Sequence, residues 1–121
     1  MLGYQISIYI QNPGQTSYEL MLPNESLLAT WVSNDCSLDW LKKLETSGKA
    51  EFVGGIGYPD IYFAKADDIL PLILPKSPTD LPPVLADRPP GVMYFDEKFN
   101  LDKIAACPSD QMLQIEAMDQ S

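Results

Sequence analysis

The sequence predicts an α+β fold, with a mainly antiparallel sheet of about five strands and two to four short helices. The chain opens on alternating apolar and polar residues, its middle carries apolar residues at helical spacing, and short β-type runs return later. A chain of 121 residues with 45% hydrophobic side chains supports one core and is too small for two. We therefore expect a single domain that spans residues 1–121.

The chain begins with a predicted β-hairpin. Residues 4–10 alternate apolar and polar side chains and are rich in β-branched and aromatic residues. Residues 12–15 form a turn, in which Pro13 sets one backbone angle and Gly14 supplies a positive φ. Residues 16–22 then return as a second strand.

Two interpretations are open for residues 24–33. One is a short helix capped by Asn24. Its buried stripe would consist of Leu27, Leu28, Trp31 and Val32. The other interpretation is a strand over the same residues.

The middle of the chain predicts a helix followed by two strands. Asp35 or Ser37 serves as the N-cap of this helix, which ends before Gly48, a residue that suits the position just past a helix C-terminus. Its buried face consists of Leu38, Trp40, Leu41 and Leu44. Residues 50–53 and 60–64 are the third and fourth predicted strands.

A short helix and a long loop come next. Asp67 and Asp68 lie in the first turn of the helix, where the helix dipole favours carboxylates. Pro75 ends this helix. Residues 76–91 are rich in proline and predict an extended surface loop, a type of segment that is often functional in compact domains.

The remaining residues predict one strand and two helical segments. Residues 92–95 are the fifth predicted strand, and residues 101–106 predict a helical turn. Residues 111–118 predict a last helix, capped by Ser109. Its apolar residues at helical spacing are Met112, Ile115 and Met118.

The charge of the chain excludes some classes of partner. Seventeen acids against eight bases give a formal net charge of −9. Nucleic acids and anionic membranes would be repelled, because binding either of them requires a basic surface. A basic protein would be attracted, and its encounter rate would rise. Solubility alone accounts for the same charge equally well.

The residue types present do not form a known catalytic or metal-binding set. The chain has no histidine, which removes Ser-His-Asp catalysis and most zinc sites. The glycines of residues 54–57 lack the lysine and serine or threonine of a phosphate loop, and we predict a turn or bulge there. Asp60, Asp67 and Asp68 lack the spacing of a calcium loop. We therefore expect neither an enzyme nor a metal or cofactor.

Two cysteines and the N-terminal residues bear on the cellular compartment. Cys36 and Cys107 are too few for a secreted disulfide scaffold, and we expect reduced, unreactive thiols. The first residues lack the basic segment of a signal peptide. No apolar run is long enough to span a bilayer. These observations predict a cytoplasmic protein.

The aromatic residues suggest one binding surface. In residues 58–62, Tyr58 and Tyr62 flank Asp60 where a loop meets a strand. Tyrosine beside a carboxylate makes a good anchor for a basic protein surface. Ordinary packing of the strand is the competing interpretation of Tyr62.

These features together resemble the small acidic immunity proteins that bacteria encode beside secreted or contact-dependent toxins. The resemblance covers the opening hairpin, residues 54–62, residues 67–71 and the lack of catalytic residues. It implies a cytoplasmic protein that binds one cognate toxin domain tightly and blocks it. It assigns no role to any single residue.

We expect an acidic face to dock on a basic toxin domain, which for a nuclease would include the groove that handles phosphate. The candidate residues are Asp60, Tyr62, Asp67 and Asp68, with Asp96 and Glu97 as a second patch. One alternative is an acidic DNA-mimic or adaptor protein, and another is a structural subunit whose proline-rich loop packs against a neighbour. The sequence leaves the oligomeric state open.

Overall fold

The computed structural model describes residues 4–11, 14, 24–33, 38–55, 60–75, 82–85 and 97–119. Their strands are β1 Tyr4–Ile10, β2 Leu27–Ser33, β3 Ala50–Gly54, β4 Asp60–Lys65, β5 Lys98–Phe99 and β6 Met112–Asp119. Their α-helices are α1 Asp39–Thr46, α2 Ala66–Ile73 and α3 Leu101–Ala106. Two short 3-10 turns complete the set, at Asn24–Ser26 and Pro83–Leu85.

The six strands form one sheet in the order β3-β4-β6-β1-β2-β5. Every pair of neighbours in it is antiparallel. The predicted α+β class is therefore confirmed. The last strand in sequence, β6, lies in the interior of the sheet, between β4 and β1.

The predicted helix over residues 111–118 is wrong, because these residues form β6. Leu113, Ile115 and Ala117 are fully buried on one face of the strand, whereas Met112 and Met118 are exposed on the other. The apolar residues fit a period of two as well as the helical period. Pairing with strands on both sides decides between the two, since local pattern is a weak constraint against tertiary context.

The helical interpretation of residues 24–33 is also wrong, and the strand alternative is confirmed. After a 3-10 turn at Asn24–Ser26, Leu27–Ser33 pairs with β1, with Trp31 opposite Ile6. On its other edge β1 pairs with β6. The predicted second strand of the hairpin, residues 16–22, lies outside the described residues.

The other local predictions agree with the structure more closely. Helix α1 begins after Leu38, and Gly48 follows its end with a φ of +80°. The two predicted N-caps, Asp35 and Ser37, lie outside the described residues, as does the predicted strand at 92–95. Of the predicted proline-rich loop, the structure describes only residues 82–85.

The helices pack on one face of the sheet, which we call the core face. A single hydrophobic cluster joins the buried residues of the helices to those of the strands. Its helical members include Leu41, Ile69, Ile73 and Ile104, and its strand members include Ile6, Ile8, Trp31, Tyr62, Leu113 and Ile115. Within it, the Trp31 ring lies between Phe99 and Trp40, with ring centroids 5.6 Å and 6.0 Å away. Such aromatic contacts add about 0.5–1.5 kcal/mol beyond the area that they bury.

Replacing Leu113 by alanine tests the strand assignment of β6. Leu113 is fully buried, so its truncation is expected to lower the free energy of unfolding by about 2–5 kcal/mol. Met118 is 38% exposed, and Met118→Ala is expected to change it by about 0.5 kcal/mol or less. Urea denaturation measures both values. A helix with Met112, Ile115 and Met118 inside would reverse this order.

Candidate partner-binding surface

An exposed aromatic ring lies at the outer strand of the sheet. Phe52 of β3 pairs with Tyr62 of β4, so the two side chains share the core face. Their rings meet edge to face, with centroids 5.3 Å apart. Tyr62 is only 4% exposed, whereas Phe52 is 44% exposed. The buried tyrosine therefore supports a ring that presents much of its surface to solvent.

Two carboxylates lie close to this aromatic pair. Burial raises the pKa of the Tyr62 hydroxyl, and the negative charges of Glu45 and Asp60 raise this pKa further, with a smaller effect from Tyr4. Glu45 is exposed in the last turn of α1, and Asp60 is half-buried at the start of β4. We call Glu45, Phe52, Asp60 and Tyr62 the acidic–aromatic surface.

Two features of the fold assemble the acidic–aromatic surface. Strand β4 alternates its side chains, so Asp60 and Tyr62 point to the same face two residues apart. Helix α1 packs against β3 on that face, which brings its carboxyl end towards the aromatic pair. The tight turn at Gly48 then connects α1 to β3 within four residues.

The structure does not bring the four main predicted residues into one patch. Asp60 and Tyr62 belong to the acidic–aromatic surface, but Tyr62 is only 4% exposed and supports the Phe52 ring from the core instead of presenting its own surface to a partner. Asp67 and Asp68 follow the opposite end of β4, in the first turn of α2. The five steps from Asp60 to Lys65 span about 17 Å at the usual rise of a strand. Asp67 is exposed there, and its N–H donates to the carbonyl oxygen of Ser109 at 2.9 Å.

The predicted second patch also lies elsewhere. Glu97 is half-buried and directly precedes β5, at the opposite edge of the sheet from β3. Four strand spacings separate β5 from β4, which places Glu97 about 19 Å from Asp60. Asp96 lies outside the described residues.

Sequence reasoning missed two members of the acidic–aromatic surface, Glu45 and Phe52. Both stood within elements that were predicted, a helix and a strand. The exposure of Phe52 follows from the place of β3 in the order of the sheet, which depends on long-range pairing. The position of Glu45 follows from the packing of α1 against β3. An apolar residue in a short strand otherwise predicts a core position.

The opposite face of the sheet carries a polar network, and we call it the polar face. The Thr30 hydroxyl donates to the carbonyl oxygen of Ile6 at 2.9 Å. It accepts from the Gln5 amide at 2.6 Å, and since its one proton is used, the Ser7 hydroxyl donates to it at 3.0 Å. These bonds join the middle of β1 to β2 through side chains as well as backbone.

A partly buried carboxyl group lies beside this network on β6. The Gln114 amide, which is fully buried, donates to Glu116 Oε2 at 3.0 Å. Burial raises the pKa of Glu116, and the hydrogen bond from Gln114 partly opposes that effect. Burial and the nearby charge of Glu116 also raise the pKa of Tyr9. This face is thus sensitive to the protonation of Glu116.

Within the described residues, no cluster of three or more histidine, cysteine or acidic side chains has the geometry to hold a metal ion. Burial raises the pKa of Cys107, so its thiol form is favoured. In the same part of the chain, no helix has both the length and the apolar character needed to cross a bilayer.

Comparisons of the chain with known protein families, with characterised proteins and with solved structures found no match. No family membership therefore guides the assignment of function. The properties that bear on function are therefore the exposure and charge of the acidic–aromatic surface.

Glu116→Gln tests the electrostatics of the polar face. Because burial raises the folded-state pKa of Glu116 above its ordinary value of 4.5, its contribution to stability is present at low pH and is lost as pH rises through the folded value. The neutral variant is therefore expected to melt at a higher temperature than the wild type at about pH 7 and at a similar temperature at about pH 3.5.

Thermal unfolding of both proteins at the two pH values measures this difference. Glu51→Gln is the matched control, because it removes an exposed carboxylate from the same face of the sheet. A Glu116→Gln protein that is less stable than the wild type at neutral pH would contradict the role assigned to burial.

Proposed function

We propose that this chain is an immunity protein, which binds and neutralises a basic toxin domain through the acidic–aromatic surface. The observation that carries the proposal is Phe52, a large aromatic side chain that is 44% exposed and backed by a buried tyrosine. Its neighbours Glu45 and Asp60 supply negative charge around the ring. An aromatic anchor with charged neighbours is typical of the residues that dominate binding energy in protein interfaces.

The two parts of the surface have different roles in this proposal. Burial of the Phe52 ring against a partner supplies affinity, because aromatic side chains bury a large area at low entropic cost. The carboxylates of Glu45 and Asp60 supply specificity and orientation, and the overall charge of −9 speeds the encounter with a cationic partner.

Inhibition follows from occupation of the toxin's own binding groove. A toxin that acts on nucleic acid needs a cationic groove for phosphates. In the proposed complex, Glu45 and Asp60 occupy that groove in place of substrate. The more distant Asp67, Asp68 and Glu97 add to the attracting field but lie outside the contact made by Phe52.

Capture of the partner with a matched pair of variants tests the role of Phe52. Tagged wild-type chain is expected to retain one stoichiometric basic protein from a lysate of the source organism, after washing at high salt. Phe52→Ala is expected to lose it, since truncation of a central aromatic anchor weakens binding by about 2 kcal/mol or more. Leu101→Ala, which removes a side chain of equal exposure from α3, is expected to retain it.

The alternatives give different outcomes in the same experiment. A broad set of nucleic-acid-binding proteins that is lost at high salt indicates an acidic DNA-mimic or adaptor protein. Self-association of the pure chain, with no captured partner, indicates a structural subunit. Retention of the partner by Phe52→Ala at wild-type strength would remove the acidic–aromatic surface from the proposal.

Charge reversal near each end of β4, with Glu45 of α1 beside its start and α2 after its end, tests which acids speed association with the partner. The double variant Glu45→Lys with Asp60→Lys is expected to lower the association rate constant about tenfold or more and to flatten its dependence on salt. Asp67→Lys with Asp68→Lys introduces the same charge change at the other end and is expected to act less. Stopped-flow kinetics at several salt concentrations measures both. A larger effect of the second pair would move the site to the start of α2.

A further inference from the structure

The hydrogen bonds of the sheet fix the direction in which each backbone group of β4 points. In an antiparallel sheet, the N–H and C=O of one residue point to the neighbouring strand on one side, and those of the next residue point to the strand on the other side. The N–H of Ala66 donates to the carbonyl oxygen of Gln111 at 2.8 Å, on the β6 side. Because this direction repeats every two residues, the N–H and C=O of Ala64 and Tyr62 also point towards β6. Those of Phe63 therefore point to the other side, towards β3.

The same alternation fixes the direction of the backbone groups of β3. Phe63 is paired with Glu51, so the N–H and C=O of Glu51 point towards β4. The N–H and C=O of Ala50 and Phe52 therefore point away from the sheet. Among the described strands β3 is outermost on this side. Phe52 is 44% exposed, whereas Ala50 is only 6% exposed, so the backbone groups of Phe52 are the ones that a partner reaches on this edge. A bulge between Phe52 and Gly54 ends the regular part of this edge.

We propose that this outer edge of β3 is a strand-addition site for an extended segment of a basic partner protein. This inference rests on the proposed function and specifies how the partner is recognised. Outward backbone groups at a sheet edge bind an extended chain by adding a strand, with side chains on alternate faces giving specificity. Phe52 lies directly on this edge, so its ring and its backbone contact the same segment.

Charge selects the partner among the chains that are able to add a strand. Glu51 is exposed on the polar face of β3, and Glu45 lies beside the core face of the same edge. The nearest described base along the chain is Lys49, which directly precedes β3, and it is one base against the two carboxylates of Glu45 and Glu51. A second copy of this chain would bring another −9 charge, which opposes self-pairing. A segment with positive side chains is therefore favoured.

Side chains alternate between the two faces along β3, and this alternation predicts the order of residue types in the added segment. Side chains opposite Phe52 meet an aromatic ring, which suits an aliphatic residue or the cation–π contact of an arginine. The next side chains along the segment point to the other face, where Glu51 pairs with lysine or arginine. A strand of alternating valine and lysine satisfies both faces.

A capped seven-residue peptide of alternating valine and lysine serves as the probe, with the full chain labelled with ¹⁵N. Binding is expected to slow amide hydrogen exchange of Phe52 by about tenfold. Little change is expected at Glu51, whose N–H already faces β4, or at Ala50, which is already buried. The matched control is the same peptide with its valines N-methylated. When the peptide adds antiparallel to β3 with a valine opposite Phe52, the valines supply the N–H groups that face β3, so the methylated peptide is expected to give no protection.

Other results would overturn the inference in distinguishable ways. Shifts of the Phe52 and Tyr62 side-chain resonances without protection of the Phe52 amide would exclude strand addition and leave the proposed function intact. Equal protection by a valine–glutamate peptide, or concentration-dependent protection without peptide, would exclude a basic occupant. Failure of the proposed function itself is separate, since it appears as partner capture that survives Phe52→Ala.

Discussion

The pairing of β6 with β1 on one side and β4 on the other holds the described sheet together. Without it, the strands separate into β1-β2-β5 and β3-β4, and among the described strands no other pairing connects these two groups. The buried side chains of β6 on the core face, Leu113, Ile115 and Ala117, belong to the hydrophobic cluster. The β1–β6 half of this pairing joins residues far apart in sequence, from Ile10 with Leu113 to Tyr4 with Asp119. Closing so long a loop has a large entropic cost, and we expect this pairing to form slowly.

This arrangement determines where acidic side chains meet. Because β6 takes the inner position beside β4, β3 becomes the outermost described strand on that side, and Phe52 acquires an exposed ring above a buried Tyr62. The same geometry places the acids of β4 and α2 at opposite ends of one strand. The candidate acids of the described residues thus lie in separate parts of the fold, and the exposed aromatic residue distinguishes one acidic region from the others.

Local patterns in the sequence were sufficient for elements whose periodicity has one interpretation. The alternation of β1 and the apolar face and terminal glycine of α1 predicted both elements, and the α+β class followed from them. Strand β6 was missed because its apolar residues satisfy two periods, and only its two neighbours decide between them. In the site, Asp60 and Tyr62 were found because they are two residues apart. Glu45 and Phe52 were not, because their proximity to that pair depends on the order of strands and the packing of α1.

The central claim is that a basic partner contacts the chain at the acidic–aromatic surface, and cross-saturation in solution tests it most directly. Deuterated, ¹⁵N-labelled chain is mixed with the captured, unlabelled partner, and the aliphatic protons of the partner are irradiated. The account predicts that amide signals of Phe52 and the end of α1 lose intensity, while those of Asp67 and Asp68 do not. Loss of intensity confined to the start of α2, or to the β5 edge, would contradict the account.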